Sequence, residues 1–347
     1  MSTINKKVRI GILGCANIAE RYAIKAFQAI GNAEVRGIAS RDTAKAKEWA
    51  SRFSSDGDII AHSYDSLIVS QEIDAVYIPL PIGLHKEWVL KAAAEKKHVL
   101  CEKSLAESFA SAKEIVESCR GNGVVLYENF MGDFHPQHEK VLSLISAGAI
   151  GRPFLFESRF GFPPLHEDNI RYDQGLGGGS LNDAGAYTVF MARKILRNEP
   201  LAITCALFRD RGKNVDTGGS AMLEFPDGQT AFVAFSFDAM YQNNYSVWGA
   251  RGLAKVDRAY SIPPDMKPII ELVTNTNHKE TTSVVDAPAA NHFELIFYDF
   301  CDTVLNQEKR GDKIGKTYAR LMTQARILEA MRVAAKENRK VFLKEIV

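Results

Sequence analysis

Cysteine is scarce in this chain and follows no pattern. Its 347 residues contain five (Cys15, Cys101, Cys119, Cys205 and Cys301). The number is odd and no C-x-x-C pair occurs, which argues against a disulfide framework and a thiolate metal site and leaves reduced thiols. An excess of one charge sign is also lacking: 43 Lys and Arg face 42 Asp and Glu, a net charge of +1. No global field therefore draws the protein to nucleic acid or an anionic membrane, and an anionic ligand has to be caught by a local site. Long apolar runs are missing too, so no segment is expected to span a bilayer. MSTINKKVRIGILG passes from a polar lead straight into a strand-like run with no signal-peptide core. His135 and His138 stand too far from other ligand types to suggest zinc, and no metal is expected. These absences leave a cytoplasmic protein of enzyme size, longer than one hydrophobic core usually sustains, so two domains are expected.

What is present begins with alternation. VRIGIL (8–13), AEVRGIA (33–39), IDAVYIPL (73–80), HVLCE (98–102) and VVLY (124–127) are short apolar, β-rich runs separated by stretches with helical spacing. That is the βαβ signature of a doubly wound parallel sheet, in which ligands bind beyond the carboxyl ends of the strands. The residues just after each run are thus the candidates. After the first come Gly14, Cys15, Ala16, Asn17 and Ile18, a dinucleotide fingerprint with Ala16 at its second glycine, opening a helix whose N–H groups could take a pyrophosphate. A structural βα turn is the alternative. After the second come Ser40 and Arg41, where an NAD enzyme would place an acidic residue. A hydroxyl followed by a guanidinium suits a 2′-phosphate, with Lys45 one turn on, so NADP(H) is favoured and NAD(H) is the alternative. After the third, Pro79-Leu80-Pro81-Ile82-Gly83-Leu84-His85 breaks both helix and central strand, as a shaped loop under the cofactor or a plain αβ connection.

HVLCE then ends on Glu102 and Lys103 at the same sheet edge. A lysine there could give a proton or hydrogen bond to a carbonyl being reduced, or bind ribose hydroxyls; an exposed lysine at a helix start is the other reading. From Glu128 the texture changes to long, often alternating runs, 151–162, 201–210, 220–228, 230–239, 244–252 and 269–274, as in an open antiparallel sheet. Among them LGGGSLNDAGAYTVFMARKIL (176–196) carries Asp183 and Tyr187 at i and i+4. Together they present a carboxylate and a phenol on one helix face, or else simply a core helix with a buried tyrosine.

The chain resembles the Gfo/Idh/MocA oxidoreductase family over nearly its whole length: VRIGILGCANIA, ASRD, PLPIGLHKEW, HVLCEKSL, ENFMGDFHPQ, GAIGRP, GGGSLNDAGAY and QARILEAMRVAAKENRKVFL carry the likeness. The resemblance implies an N-terminal Rossmann domain (1–127) that binds NAD(P). It also implies a C-terminal α/β domain (128–347) with a large open, mainly antiparallel sheet for substrate binding and oligomerisation. It places Lys103 at the lysine of the family's E-K-P signature and Tyr187 at its second catalytic group. Ser104 replaces the proline of that signature, and Ile82 stands where many relatives carry asparagine. The tyrosine version resembles the branch with nucleotide-sugar 3-ketoreductases, glucose-fructose oxidoreductase, xylose dehydrogenase and dihydrodiol dehydrogenase.

The expectation is an NADP(H)-dependent oxidoreductase moving a hydride to or from a ring carbon of a sugar, foremost a nucleotide-linked keto-sugar. Tyr187 would be the proton donor, with Lys103 lowering its pKa and holding the cofactor ribose and the substrate hydroxyl, Asp183 on a neighbouring hydroxyl, and Arg171 near the nicotinamide or a substrate phosphate. Pro79, Leu80, Pro81, Leu84, His85 and Glu102 would border the cofactor. A free-aldose or polyol dehydrogenase is the alternative, and a non-catalytic dinucleotide sensor the alternative of another class. A homodimer or homotetramer is expected, because an open apolar sheet face is normally covered.

Overall fold

The computed structural model describes residues 6–210 and 212–347; the polar lead at 1–5 lies outside the described residues. The chain divides into two compact units. One runs to Asn129 and also contains Phe293–Met322, and the other is Phe130–His292 with Thr323–Val347. Residues 293–322, read from sequence with the second half, thus belong to the first.

Among the described residues, the first unit holds six parallel strands: β1 (Val8–Leu13), β2 (Ala33–Ala39), β3 (Ile60–His62), β4 (Ala75–Ile78), β5 (His98–Cys101) and β6 (Leu126–Glu128). Their spatial order is β3-β2-β1-β4-β5-β6. The order reverses between β1 and β4, which is the switch point where such sheets bind ligands. The first two strands coincide with the runs read from sequence, whereas β3 escaped because three residues (IAH) carry no period. Helices α1 (Ile24–Ala29), α2 (Thr43–Phe53), α3 (Tyr64–Val69), α4 (His85–Ala94) and α5 (Phe109–Asn122) fill the crossovers. Their starts are set locally: Asp42 caps α2, Ser63 caps α3 and Ser108 caps α5 through side-chain oxygens on first-turn N–H groups. β4 and β6 are buried throughout, as expected of strands covered on both faces.

Residues 293–322 complete this core, and a row of aromatic contacts explains why. Phe297 stacks on Phe27 at 4.1 Å and Phe293 on Tyr22 at 5.1 Å, while Phe300 meets Tyr127 edge-on at 5.5 Å. The Tyr127 hydroxyl donates to Asp299 at 2.9 Å. These residues belong to α8 (His292–Leu305), which is followed by α9 (Gln307–Glu337).

The second unit is built on nine strands among the described residues: β7 (Pro153–Gly161), β8 (Ala202–Phe208), β9 (Gly218–Glu224), β10 (Thr230–Ser236), β11 (Gln242–Gly249), β12 (Gly252–Asp257), β13 (Ile270–Thr276), β14 (Lys279–Val285) and β15 (Val341–Phe342). The order is β14-β13-β12-β11-β7-β10-β9-β8-β15. All neighbours run antiparallel except β7 and β10, so the sheet is mixed. α6 (Pro136–Ser146) and α7 (Ala186–Leu196) belong to this unit, and α7 packs on β7 and β10. Phe156, Val233, Phe235, Tyr245 and Val247 are buried on the inner face. The opposite face carries exposed Phe232 and Trp248, with Phe154 against Trp248 at 4.8 Å beside the bulge where β7 meets β11.

Three histidines lie buried in this unit. His135 begins α6, its Nδ1 accepting the Gln137 N–H at 3.3 Å. His138 Nε2 faces the Ala259 carbonyl at 3.0 Å; a carbonyl only accepts, so Nε2 carries the proton and Nδ1 takes the Tyr245 hydroxyl at 3.0 Å. His292 lies 6.2 Å from the His135 ring. Burial pushes His138 down to about 3, with Lys194 adding to and Asp133 opposing the shift, and lowers His135 and His292 to about 4. All three are therefore neutral when folded, whereas an unfolded histidine takes up a proton near 6.5. Their contribution is complete above that pH and is lost as pH falls toward 4, at roughly 1.4 kcal/mol per pH unit for each histidine. Urea titrations at pH 7.5, 6 and 5 are expected to show the midpoint dropping through this window, and His135→Gln to flatten the slope. A midpoint that stays constant from 7.5 to 5 would contradict neutral, buried imidazoles.

Candidate functional site

The first unit gathers its candidates at one sheet edge. Gly14 ends β1 at φ +128°, a backbone state that side chains rarely adopt. A Cβ there would lie 2.7 Å from Leu80 Cδ2, so the loops after β1 and β4 close on each other at the switch point only because the position is glycine. The chain then enters a helical stretch that is π-wound over Ala19–Ala23 before continuing as α1. The N–H groups of Cys15, Ala16 and Asn17 donate to no protein acceptor among the described residues, which leaves donors for an anionic group.

The end of β2 carries the cations. Ser40 is buried, and its hydroxyl accepts the Asp42 N–H at 3.1 Å. Asp42 is the one carboxylate in this turn that could select a 2′-hydroxyl, but its Oδ1 caps α2, taking Ala44 N–H at 2.9 Å and Lys45 N–H at 3.4 Å. Arg41 and Lys45 are exposed. Burial raises the Tyr64 phenol, while the positive charge of Arg41 opposes the shift. A hydroxyl, a guanidinium and an ammonium around a turn whose carboxylate is already used fit a 2′-phosphate. Tyr64 was invisible from sequence because it lies on the short α3 rather than after a recognised run.

At the end of β5, Glu102 keeps its strand's register by donating its N–H to Ile78 at 3.0 Å. Its carboxylate accepts from Tyr77 and from Asn129, each at 2.6 Å. Lys103 follows, half-buried, and the Lys103–Ser104 peptide is cis. His85 lies inside. It is fully buried, with Nδ1 facing the Ser104 carbonyl at 2.9 Å and Nε2 the Leu80 carbonyl at 2.8 Å. Desolvation lowers its pKa while the two carbonyls oppose that. The neutral ring carries one N–H, which donates to one of these carbonyls while the other nitrogen lies beside the second, so His85 is packed between the β4 loop and the β5 loop.

The second unit carries the other constellation. The glycine run 177–179 folds onto the turn before it: Gly178 N–H donates to Asp173 at 2.9 Å and Gly179 N–H to Arg171 at 3.0 Å. A Cβ on Gly178 would strike the Arg171 carbonyl. Asp216 fixes the far side, accepting from the Ser180 hydroxyl at 2.6 Å and the Leu181 N–H at 2.7 Å. From this anchor the chain winds as a π-helix over Leu181–Gly185 and continues as α7, so Asp183 and Tyr187 straddle a π-to-α junction and not one regular helix face. The Asp183 carboxylate pairs with Arg171 Nε. Tyr187 is 7 % exposed, its ring edge-on to Phe130 at 5.5 Å and to Phe160 at 5.3 Å. Its hydroxyl donates to the Met131 thioether at 3.4 Å. That acceptor is weak and yields readily to a better one. Arg171, Asp183 and Tyr187 are thus assembled around one turn, and Asp216 and Met131 are the supports that sequence did not reveal.

A family model described as an oxidoreductase family with an NAD-binding Rossmann fold matches residues 8–130, and one for the GFO/IDH/MocA C-terminal domain matches residues 138–255. The dTDP-3,4-didehydro-2,6-dideoxy-alpha-D-glucose 3-reductase of Saccharopolyspora spinosa is 37 % identical over 269 residues, covering 78 % of this chain and 80 % of that protein. The D-xylose 1-dehydrogenase (NADP(+)) 2 of Haloferax volcanii is 38 % identical over 278 residues, covering 80 % and 83 %. The crystal structure of a 3-ketoreductase from Actinomadura kijaniata in complex with NADP and TDP-benzene superposes with a TM-score of 0.86 at 33 % identity, over 95 % of this chain and 98 % of that one.

Gly14→Ala tests the first edge, since it combines a disfavoured φ with a clash against Leu80. NADPH affinity is expected to fall at least tenfold and stability by about 1–3 kcal/mol. Fluorescence titration and thermal melts read the two, and unchanged affinity would mean that this loop does not carry the phosphates.

Proposed function

We propose that this chain, which belongs to the Gfo/Idh/MocA oxidoreductase family, reduces the keto group of a nucleotide-linked deoxysugar with NADPH. It is an NAD(P)-dependent oxidoreductase acting on sugar CH–OH groups. The observation that carries the nucleotide-sugar reading is the likeness, across nearly the full length of both chains, to a 3-ketoreductase crystallised with NADP and TDP-benzene. A second reading, oxidation of a free aldose, is favoured by the likeness to the xylose dehydrogenase.

The bound cofactor supplies or accepts the hydride. The loop Gly14–Ile18 would receive its pyrophosphate on open N–H groups, and Ser40, Arg41 and Lys45 its 2′-phosphate. Lys103 would hold ribose hydroxyls at the end of β5. In the reductive direction the Tyr187 hydroxyl leaves the Met131 sulfur and gives its proton to the developing alkoxide, and Asp183, oriented by Arg171, accepts a neighbouring sugar hydroxyl. Ring packing around Tyr187 keeps that phenol from swinging.

We place the enzyme in the cytoplasm, which its five free cysteines support. No helix among the described residues is long and apolar enough to cross a membrane. We also propose a homo-oligomer formed through the outer sheet face. Exposed Phe154, Phe232 and Trp248 stand there, and exposed Glu157 and Arg159, two residues apart on one strand, would pair reciprocally across a two-fold axis.

Three outcomes test these assignments. NADPH oxidation should be stimulated by dTDP-linked keto-sugars more than by free aldoses, and Tyr187→Phe should lower kcat by about 10² to 10⁴ while leaving NADPH affinity unchanged. Near-normal turnover in that variant would assign the proton to another group. NADP(H) should bind at least tenfold tighter than NAD(H), about 1.4 kcal/mol, with Arg41→Ala removing most of the gap; equal affinities in the unaltered protein would refute the 2′-phosphate site. Light scattering at micromolar concentration should report a dimer or larger, and Trp248→Glu should shift it toward monomer. A monomer before substitution would show that this sheet face is free in solution.

A further inference from the structure

Beneath the cofactor edge of the first unit lies a buried network that the reaction as described does not use. Glu102 Oε1 receives two hydrogen bonds, from the Tyr77 hydroxyl and from Asn129 Nδ2, both at 2.6 Å. Tyr77 and Asn129 are both fully buried. They arrive from the strands on either side of β5. Tyr77 lies in β4 opposite Leu100, and Asn129 follows β6, donating its N–H to the Cys101 carbonyl at 2.8 Å. The sheet's register therefore delivers both donors to one carboxylate.

The chemistry of the donors is specific. A carboxylate accepts, so the Asn129 amide is oriented with its nitrogen toward Glu102, which leaves Asn129 Oδ1 buried without a partner. Leaving a buried carbonyl oxygen unpaired is costly, and an apolar side chain at this position would avoid the cost. Desolvation pushes the Glu102 pKa up, and the opposing influences are the Tyr77 and Asn129 bonds together with the charge and backbone N–H of Lys103. The other titratable groups close by are Cys101 on β5, Glu128, whose Oε1 is occupied by the Leu105 N–H at 2.7 Å, and His85, packed between two carbonyls.

We propose that Tyr77 and Asn129 are positioning residues: from the two strands flanking β5 they hold Glu102 as a fixed anionic partner for Lys103, and so hold the lysine at the cofactor edge. A lysine on four rotatable carbons loses much rotamer freedom when it binds a ribose, and a fixed counter-charge removes part of that loss in advance. The inference rests on the reading of Lys103 as a cofactor-side residue.

The test is a set of NADPH titrations of the full chain, followed by fluorescence, in Tyr77→Phe, Asn129→Ala, Lys103→Met and the two doubles that combine Lys103→Met with each. Tyr77→Phe and Asn129→Ala are each expected to weaken NADPH about tenfold, and to change affinity less than twofold once Lys103 is methionine. Equal losses in both backgrounds would mean that the two residues only support the fold, and no loss in either would mean that they do not act on the lysine. Should the variants fail to fold, the unaltered protein still decides the matter. With ¹³C-labelled glutamate, and Glu102→Gln for assignment, the Glu102 carboxyl must titrate as ionised at pH 7. A protonated carboxyl there overturns the inference even when NADPH binds. Absence of NADPH binding by the unaltered protein removes the cofactor reading itself, and this inference with it.

Discussion

A parallel sheet covered on both faces has only its two ends free for chemistry, and the first unit is organised by that constraint. β4 and β6 are buried along their whole length, so every group able to meet a ligand has to appear where a strand stops. Gly14, Ser40, Arg41, Pro79 and Glu102 all do so at the carboxyl end. His85, packed between the carbonyls of Leu80 and Ser104, keeps two of these strand ends at fixed spacing. The same constraint makes the loop after β1 depend on one glycine, because the β1 and β4 loops meet at the point of reversal.

The second unit meets the opposite difficulty: its sheet is broad, so the functional side chains need a separate anchor. Asp216 and the Arg171–Asp173 turn provide it, taking the hydrogen-bonding groups of the glycine run from both sides. What emerges is a short π-wound turn that carries Asp183, already bonded to Arg171, and leads directly into α7 with Tyr187 near its start. Pi-turns are uncommon and recur at functional positions, and among the described residues this chain has one just after the loop that follows β1 and another at Leu181–Gly185.

Much of this was legible in the residues. β1 and β2 stand out as short β-rich apolar runs broken only by the half-buried Arg9, Glu34 and Arg36, and the candidates after them follow by position. β14 stayed hidden because KETTSVV is exposed almost throughout and shows no apolar face, as suits an edge strand. The burial of His85 was illegible too, since a histidine in a proline-flanked loop reads as exposed until its carbonyl partners are known. Tyr77, Asn129 and Asp216 act through register and loop closure, which join residues far apart in the chain and leave no local pattern. The division by contacts differs from a boundary at 127 for a related reason: the aromatic face of α8 is a plausible helix in either unit, and only its stacking on Phe27 and Tyr22 decides.

That last feature bears on how the protein comes off the ribosome. The sheet of the first unit is complete in sequence by Glu128, yet its core stays open until Phe293, Phe297 and Phe300 have been made. At usual synthesis rates the interval is roughly 10–40 s, during which Phe27 and Tyr127 lack their covering rings. The nascent chain therefore carries uncovered Phe27 and Tyr127 through about half of its elongation, which is the kind of surface that holdase chaperones engage. Prematurely terminated products of this gene should be insoluble even when they contain every residue of the parallel sheet.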